Sequence, residues 1–261
     1  MRRKLLGNDH PDVVESLNNL ATVLYAQGKV SDAETMLREA LTLGRKLLGD
    51  EHPDLASWLD NLAGVLLSQG KLAEAETLNR EALMMRRKLL GNEHLDVATS
   101  LNNLAILLRG QGKLSEAETA NREALALWRK LLGNEHSSVA TSLANLANVL
   151  ENQGKLAESE IMQREALAMR RKLLGKEHPE VAQSLNNLAS LLENQGKLAE
   201  AESAHREGLA MRRRLLGNDH PDVAASLADF AGALLLEEKF AEAEPLAGES
   251  LAIREKKLPD D

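Results

Sequence analysis

Six histidines stand in register along the chain, His10, His52, His94, His136, His178 and His220, one every 42 residues. Imidazole is a common metal ligand and a proton carrier near neutral pH, so a metal or acid–base centre is the first chemistry to weigh. A zinc site needs several ligands converging on one ion at about 2 Å. One histidine per unit, followed by proline in four of the six, suits the start of a helix better. The seventh, His205, falls out of register at a position that is Asn79, Asn121 and Gln163 in earlier units, which predicts a partly buried polar contact. There is no cysteine, no Gly-rich phosphate loop, no Gly-x-Ser-x-Gly elbow and no His-Glu-x-x-His pair. A cysteine nucleophile, a nucleophile elbow, a phosphate cradle and a zincin site are therefore all missing from the sequence. The expectation is a non-enzyme without catalytic residues, metal or cofactor.

The second constellation is made of amides. "SLNNLA" occupies 16–21 and returns at 100–105 and 184–189, with "SLANLA" at 142–147. The Asn19 position continues as Asn61, Asn103, Asn145, Asn187 and Asp229, and the Asn18 position as Asp60, Asn102, Ala144, Asn186 and Ala228. An amide side chain both donates and accepts, so a row of them can satisfy the backbone of an extended chain without reading its sequence. The plainer use is to bridge neighbouring helices or to hydrate a wall. Asparagine in mid-helix costs some tenths of a kcal/mol each time, which something should offset.

A third row, Arg38, Arg80, Arg122, Arg164 and Arg206, follows Glu34, Glu76, Glu118, Glu160 and Glu202 by four residues each. That is the favourable orientation for an intrahelical ion pair, so these arginines read as a solvated face rather than a nucleic-acid stripe. The "RRKLL" stretches that close the second helices place cations at the negative end of the helix dipole.

The elements that must position these rows are legible in the repeat. Of 261 residues, 43% are hydrophobic but only 2% aromatic, which favours an α-helical core of Leu, Ala, Val and Met. The net charge of −8 argues against nucleic acid as the main partner. No run of residues is long and apolar enough for a membrane span, and the N-terminus carries no secretory signal pattern, so a cytoplasmic protein with no membrane partner is expected. Within a unit, Val13, Leu17, Leu20, Ala21 and Leu24 follow the spacing of an amphipathic helix started at His10-Pro11-Asp12 and stopped at Gln27-Gly28-Lys29. A second helix runs from about Ser31 to Leu48, with a capping-box pattern in Ser31/Glu34 and Ser115/Glu118, and Gly49 stops it. Small Ala33 and Ala40 allow a close neighbour. Each unit is a helical hairpin, and stacked hairpins bury a core that one alone could not.

Leu17, Leu20, Ala21, Leu24, Gly28, Ala33 and Ala40 match in type and spacing the signature positions of the tetratricopeptide repeat, and the chain resembles that family across all six units. Its longer period, with "LGxxHPDVAxSLNNLAxLxxxQGK", is similar to the 42-residue variety of kinesin light chains. Three departures stand out. The usual Trp and Tyr of the first helix are Leu17 and Leu24, and the large aromatic of the second helix becomes Leu37, Asn79, Asn121, Gln163 and His205. The coiled-coil segment of light chains is missing from the sequence. HEAT and armadillo units have a similar period, but the paired small residues and the glycine turn weigh against them.

The resemblance implies an all-α fold, a right-handed superhelical α-solenoid of six TPR helix-turn-helix hairpins whose first helices line a concave groove. The units read as 10–51, 52–93, 94–135, 136–177, 178–219 and a degenerate, cap-like 220–261, in one solenoid. Residues 1–9 read as the C-terminal end of a truncated preceding repeat helix, because Met1–Leu6 aligns with Met85–Leu90. In the last unit Glu238 replaces the turn glycine, and Pro245 predicts a delayed or kinked second helix.

At about 100° per residue, Leu17, Leu20, Ala21, Leu24 and Val13 share one stripe, the buried one, and Glu15, Asn18, Asn19, Thr22 and Ala26 fall opposite. The asparagines are thus expected on the free face. In the family, the equivalent of Asn19 commonly holds the backbone of a bound peptide, and the resemblance carries that role to Asn61, Asn103, Asn145 and Asn187. The candidate groove residues are Asn18, Asn19, Tyr25, Asn61, Asn102, Asn103, Arg109, Asn145, Asn148, Glu151, Asn186, Asn187 and Glu193. Tyr25, Leu67 and Ile106 make the early groove more apolar, whereas Glu151 and Glu193 make the later one acidic. The expected partner is a protein or peptide segment, neutral to mildly basic. The rival role is structural, with uncapped repeats associating end to end.

Overall fold

The computed structural model describes residues 10–256, which contain twelve α-helices and no strand. First helices of 16 residues alternate with second helices of 19, except the last second helix, which has 16. They are α1 (Pro11–Ala26), α2 (Val30–Leu48), α3 (Pro53–Ser68), α4 (Leu72–Leu90), α5 (Leu95–Gly110) and α6 (Leu114–Leu132). The second half holds α7 (Ser137–Asn152), α8 (Leu156–Leu174), α9 (Pro179–Asn194), α10 (Leu198–Leu216), α11 (Pro221–Leu236) and α12 (Phe240–Glu255). The chain divides into two compact units, Met1–Leu131 and Leu132–Asp261. In each, consecutive helices pack as antiparallel hairpins, which is the all-α hairpin repeat expected from the periodicity. The reading of residues 1–9 as a preceding helix lies outside the described residues.

The in-register histidines start the first helices. In all six, the ring Nδ1 accepts the backbone N–H two residues on, at 3.1–3.3 Å, with the histidine backbone extended. This satisfies one of the helix's orphan donors, the job usually given to Ser, Thr, Asp or Asn. It also places the ring proton on Nε2. The second helices differ from expectation: they begin at Val30 and Leu114, so Ser31 and Ser115 sit one residue inside. At α2 the N-cap is Lys29, which makes no side-chain cap bond. Glu34 is drawn away from the predicted capping box by Lys71 and Arg38.

The turn within each hairpin needs a left-handed residue. At Gly28 (φ 76°), Gly28 N–H donates to Tyr25 O and Lys29 N–H to Leu24 O, both at 2.9 Å, a Schellman closure. The last hairpin keeps the same closure although Glu238 stands where glycine did, at φ 59°. Pro245 neither delays nor breaks α12, which starts at Phe240 and continues through it to Glu255.

The hairpin core is set by small residues where helices cross. Ala33, Ala75, Ala117 and Ala201 are fully buried, as are Ala40, Ala82, Ala124 and Ala166. Serine takes two such positions without leaving a buried hydroxyl unpaired: Ser159 Oγ donates to Ala147 O at 2.8 Å and Ser250 Oγ to Ala224 O at 2.7 Å. Leu20, expected in the buried stripe, is 47% exposed, whereas its counterparts Leu62, Leu104, Leu146 and Leu188 are buried. α3, α5, α9 and α11 each pack against the second helix of the hairpin before, and α1 is the first described helix.

Two features of the second helices were not foreseen. Arg86 and Arg170, within "RRKLL", and Arg212, within "RRRLL", turn inward rather than serving the helix dipole. They donate to Ser100, Ser184 and Ser226 on the next first helix. The equivalent residue of α2 is Gly44, and the serine's place is taken by Trp58. Secondly, the Glu–Arg pairs four residues apart extend from repeat to repeat. Arg38 reaches Glu74 as well as Glu34, Lys71 returns to Glu34, and Arg45 meets Glu81. In the second unit Arg164–Glu200, Lys197–Glu160 and Arg171–Glu207 repeat the pattern. The Lys71 ammonium, with Arg38, holds Glu34 down at about 2. For Glu76, burial acts upward but hydrogen bonds from Lys113, Arg80 and Gln111 outweigh it and keep it at about 2.

Candidate functional site

The amide rows lie on the first helices, and the structure separates them into spent and unspent side chains. In the first unit Asn61 Nδ2 donates to Asn18 Oδ1 at 2.8 Å, tying α3 to α1. Among the described residues, Asn19 and Asn103 form no side-chain hydrogen bond, and neither do Tyr25 and Arg109. Asn19 and Tyr25 are exposed, and Asn103 and Arg109 half-buried. The expectation that all the asparagines avoid the core fails at two places: Asn102 is 8% exposed and Asn186 6%. Their position borders the buried stripe, and at Asn186 the next first helix closes over that flank. Asn186 Nδ2 accordingly donates to Ser226 Oγ on α11 at 3.1 Å.

Two clefts flank α3. One, of 210 Å³, is lined by Thr22, Tyr25, Leu37, Asp60, Asn61 and Gly64 among others. The other, of 120 Å³, is bordered by Asp60, Gly64, Leu67, Asn79, Asn103 and Ile106. They exist because Gly64 stands where α1 has Thr22 and α5 has Ile106. Asp60 borders both, and Asn79 lines only the smaller. Asn79 Nδ2 donates to Asp60 Oδ1 at 2.8 Å, and Arg86 pairs with Asp60 from the other side. Burial pushes the Asp60 carboxyl up and the Arg86 guanidinium works against it. Neither Asp60 nor Asn79 stood among the sequence candidates. The available signal was the coincidence, within one hairpin, of an acid in an amide row and an amide in a row that is Leu37 one repeat earlier.

In the second unit most candidates are engaged with neighbours. Gln163 Nε2 donates to Asn148 Oδ1 at 3.0 Å, Gln183 Nε2 to Asn187 Oδ1 at 2.8 Å, and Asn194 Nδ2 to Glu151 Oε1 at 2.7 Å. Asn145 is half-buried and also has a partner. Glu193 meets the buried His205, which stacks on Phe230 at 6.0 Å between centroids; the Arg206 guanidinium lies 5.7 Å from the same ring. His205 is thus a buried polar contact, as its register predicts. Glu151 and Glu193 do stand on this face, each held by one donor. Among the described residues no group of three or more His, Cys, Asp or Glu could hold a metal ion, and no helix is long and apolar enough to cross a membrane.

Six overlapping matches to the tetratricopeptide repeat model cover residues 1–46, 13–88, 54–130, 96–172, 138–214 and 180–256. The chain belongs to the tetratricopeptide repeat family. No curated protein matches it in sequence. Among solved structures it is similar to BtubC (BKLC) from P. vanneervenii, with 24% identity over 90% of this chain and 93% of that one and a TM-score of 0.73. It is also similar to a kinesin light chain-like protein of Podosopora anserina built of nearly identical TPR-like repeats, with 27% identity, 80% and 100% coverage and a TM-score of 0.69. A Rap protein complexed with Competence and Sporulation Factor shares the fold at 16% identity, covering 97% of this chain and 82% of that one with a TM-score of 0.64. The repeats support a protein–protein interaction scaffold.

Proposed function

We propose that the protein is a non-catalytic scaffold that binds an extended peptide segment along the first-helix faces, with asparagine amides holding the peptide backbone. The observation that carries this reading is the pair of unspent amides in the first unit, Asn19 and Asn103, of which Asn103 lines the smaller cleft. An exposed amide that serves no helix contact has no structural reason to replace a better helix former. The acidic Glu151 and Glu193 on the corresponding face of the second unit favour a neutral to mildly basic segment.

A peptide-array screen tests the reading on the wild type and on the triple substitution Asn103→Ala, Asn145→Ala, Asn187→Ala, with circular dichroism verifying that both stay helical. Capture of a defined set by the wild type, lost in the folded triple variant, supports the amide ladder. Equal capture by both, or by neither, contradicts it.

A second reading has its own observation. Leu20 and Val23 on α1, and Phe240 and Leu251 on α12, are 47–63% exposed, although Leu62, Val65 and Leu209, counterparts of Leu20, Val23 and Leu251, are buried. Exposed apolar positions of this kind suit end-to-end assembly. Light scattering over a concentration series discriminates: a strict monomer excludes it.

A further inference from the structure

The smaller of the two clefts is chemically unbalanced. Its walls are apolar, with Leu67 and Ile106 on either side, and its mouth is open because a Cβ on Gly64 would find no atom within 4 Å. Its polar lining is Asp60, Asn103 and Asn79, the last of which is 0% exposed. The Asn79 Nδ2 donates to Asp60, which fixes the amide's orientation, and the buried Oδ1 has no donor from the protein. A buried carbonyl oxygen without a donor lowers stability, and the repeat before uses Leu37 at this position, so the fold does not require the amide. Asp60 is already matched by Arg86 and Asn79. A lysine or arginine head entering the cleft would lose its hydration without gaining a free counter-ion.

What complements such a cavity is an aromatic side chain with one neutral donor at its far end. We infer that the 120 Å³ cleft is a tyrosine pocket, its phenol hydroxyl donating to Asn79 Oδ1 and its ring lying against Leu67 and Ile106. The tyrosine belongs to the bound segment, so its biological source rests on the peptide-binding reading; the pocket's chemistry does not. Tyrosine is favoured over phenylalanine because phenylalanine would bury Asn79 Oδ1 unpaired. It is favoured over tryptophan because the cleft is small.

The test uses free side-chain analogues on the full chain, followed by NMR at the Gly64 backbone amide and the Asn79 side-chain amide. The probes are p-cresol, toluene, 3-methylindole and n-butylamine. p-Cresol is expected to shift both amides and to bind about tenfold more tightly than toluene, the worth of one hydrogen bond. Gly64→Ile, which installs the residue that α5 carries at 106 and favours the helix, should abolish the p-cresol shifts. Asn79→Leu should make p-cresol and toluene equal. The inference is overturned if p-cresol leaves these amides unmoved, if toluene matches it on the wild type, if butylamine or methylindole binds more tightly, or if the shifts survive Gly64→Ile. A peptide screen that captures segments while p-cresol fails would sink the pocket and leave the groove standing. Binding of p-cresol with no peptide captured would do the reverse.

Discussion

Trp58 fills the space that a side chain on Gly44 would need: a Cβ built there would lie 2.2 Å from the Trp58 Cζ3 atom. The same two positions one repeat on are Arg86 and Ser100, which hydrogen-bond to each other, and further along they are Arg170 with Ser184 at 2.6 Å and Arg212 with Ser226 at 2.5 Å. These four junctions between hairpins are therefore filled by matched pairs, large against small. Gly44→Ala should destabilise the protein by about 1–3 kcal/mol through overpacking. Adding Trp58→Ser should recover part of that loss, since it vacates the ring's place. A double-mutant cycle in urea measures the coupling; additive losses would show the pair to be independent.

The histidine caps make a second prediction. His52→Ala removes the acceptor for the Asp54 N–H and should cost about 1 kcal/mol. His52→Asn, which can cap in the same way, should restore most of it. Denaturant midpoints of the three proteins decide, and an alanine variant as stable as the wild type would show the contact to be incidental.

Glu238 holds its left-handed conformation at φ 59° where the five other hairpins use glycine. A side chain there costs about 1 kcal/mol. Glu238→Gly should stabilise by roughly that amount, and Gly154→Ala should destabilise. Thermal unfolding of both variants checks the signs.

Acid should loosen the repeat-to-repeat ladder. Glu34 and Glu76 fall from their ordinary 4.5 to about 2 when folded, so the unfolded chain binds more protons between those values. Their contribution is complete above about pH 4.5 and is lost as the pH falls towards 2. Stability of the wild type measured across that window should fall more steeply than that of Glu34→Gln with Glu76→Gln. The exposed arms of the ladder, such as Arg45–Glu81, should contribute little in 1 M salt.

Most of the fold was legible because it rests on local signals that repeat. The positions of Leu17, Ala21, Gly28 and Ala33 set hairpin, turn and crossing, and tertiary context does not override them. What escaped was whatever depends on the neighbouring hairpin. A helical wheel places Asn18 and Asn186 on a free face, since it cannot represent the helix that later closes over that flank. The inward turn of Arg86 is equally invisible from within its own helix, where a dipole role explains it as well. The partners of Glu34 lie four residues ahead and 37 residues ahead, and only the first is a sequence rule. The cleft beside Gly64 needed three helices at once, so its floor of Asp60 and Asn79 went unremarked while Asn103 on its rim was named.

Backbone capture by amides is the central claim, and a backbone N-methyl scan of a captured peptide tests it most directly. Each variant keeps every side chain and removes one amide donor, and its affinity is compared with an alanine scan of the same peptide. The account predicts sharp losses at a few N-methylated positions, about tenfold each, which disappear in the protein carrying Asn19→Ala and Asn103→Ala, while most alanine substitutions are tolerated. Affinity that survives N-methylation at every position and follows only the side chains would contradict it.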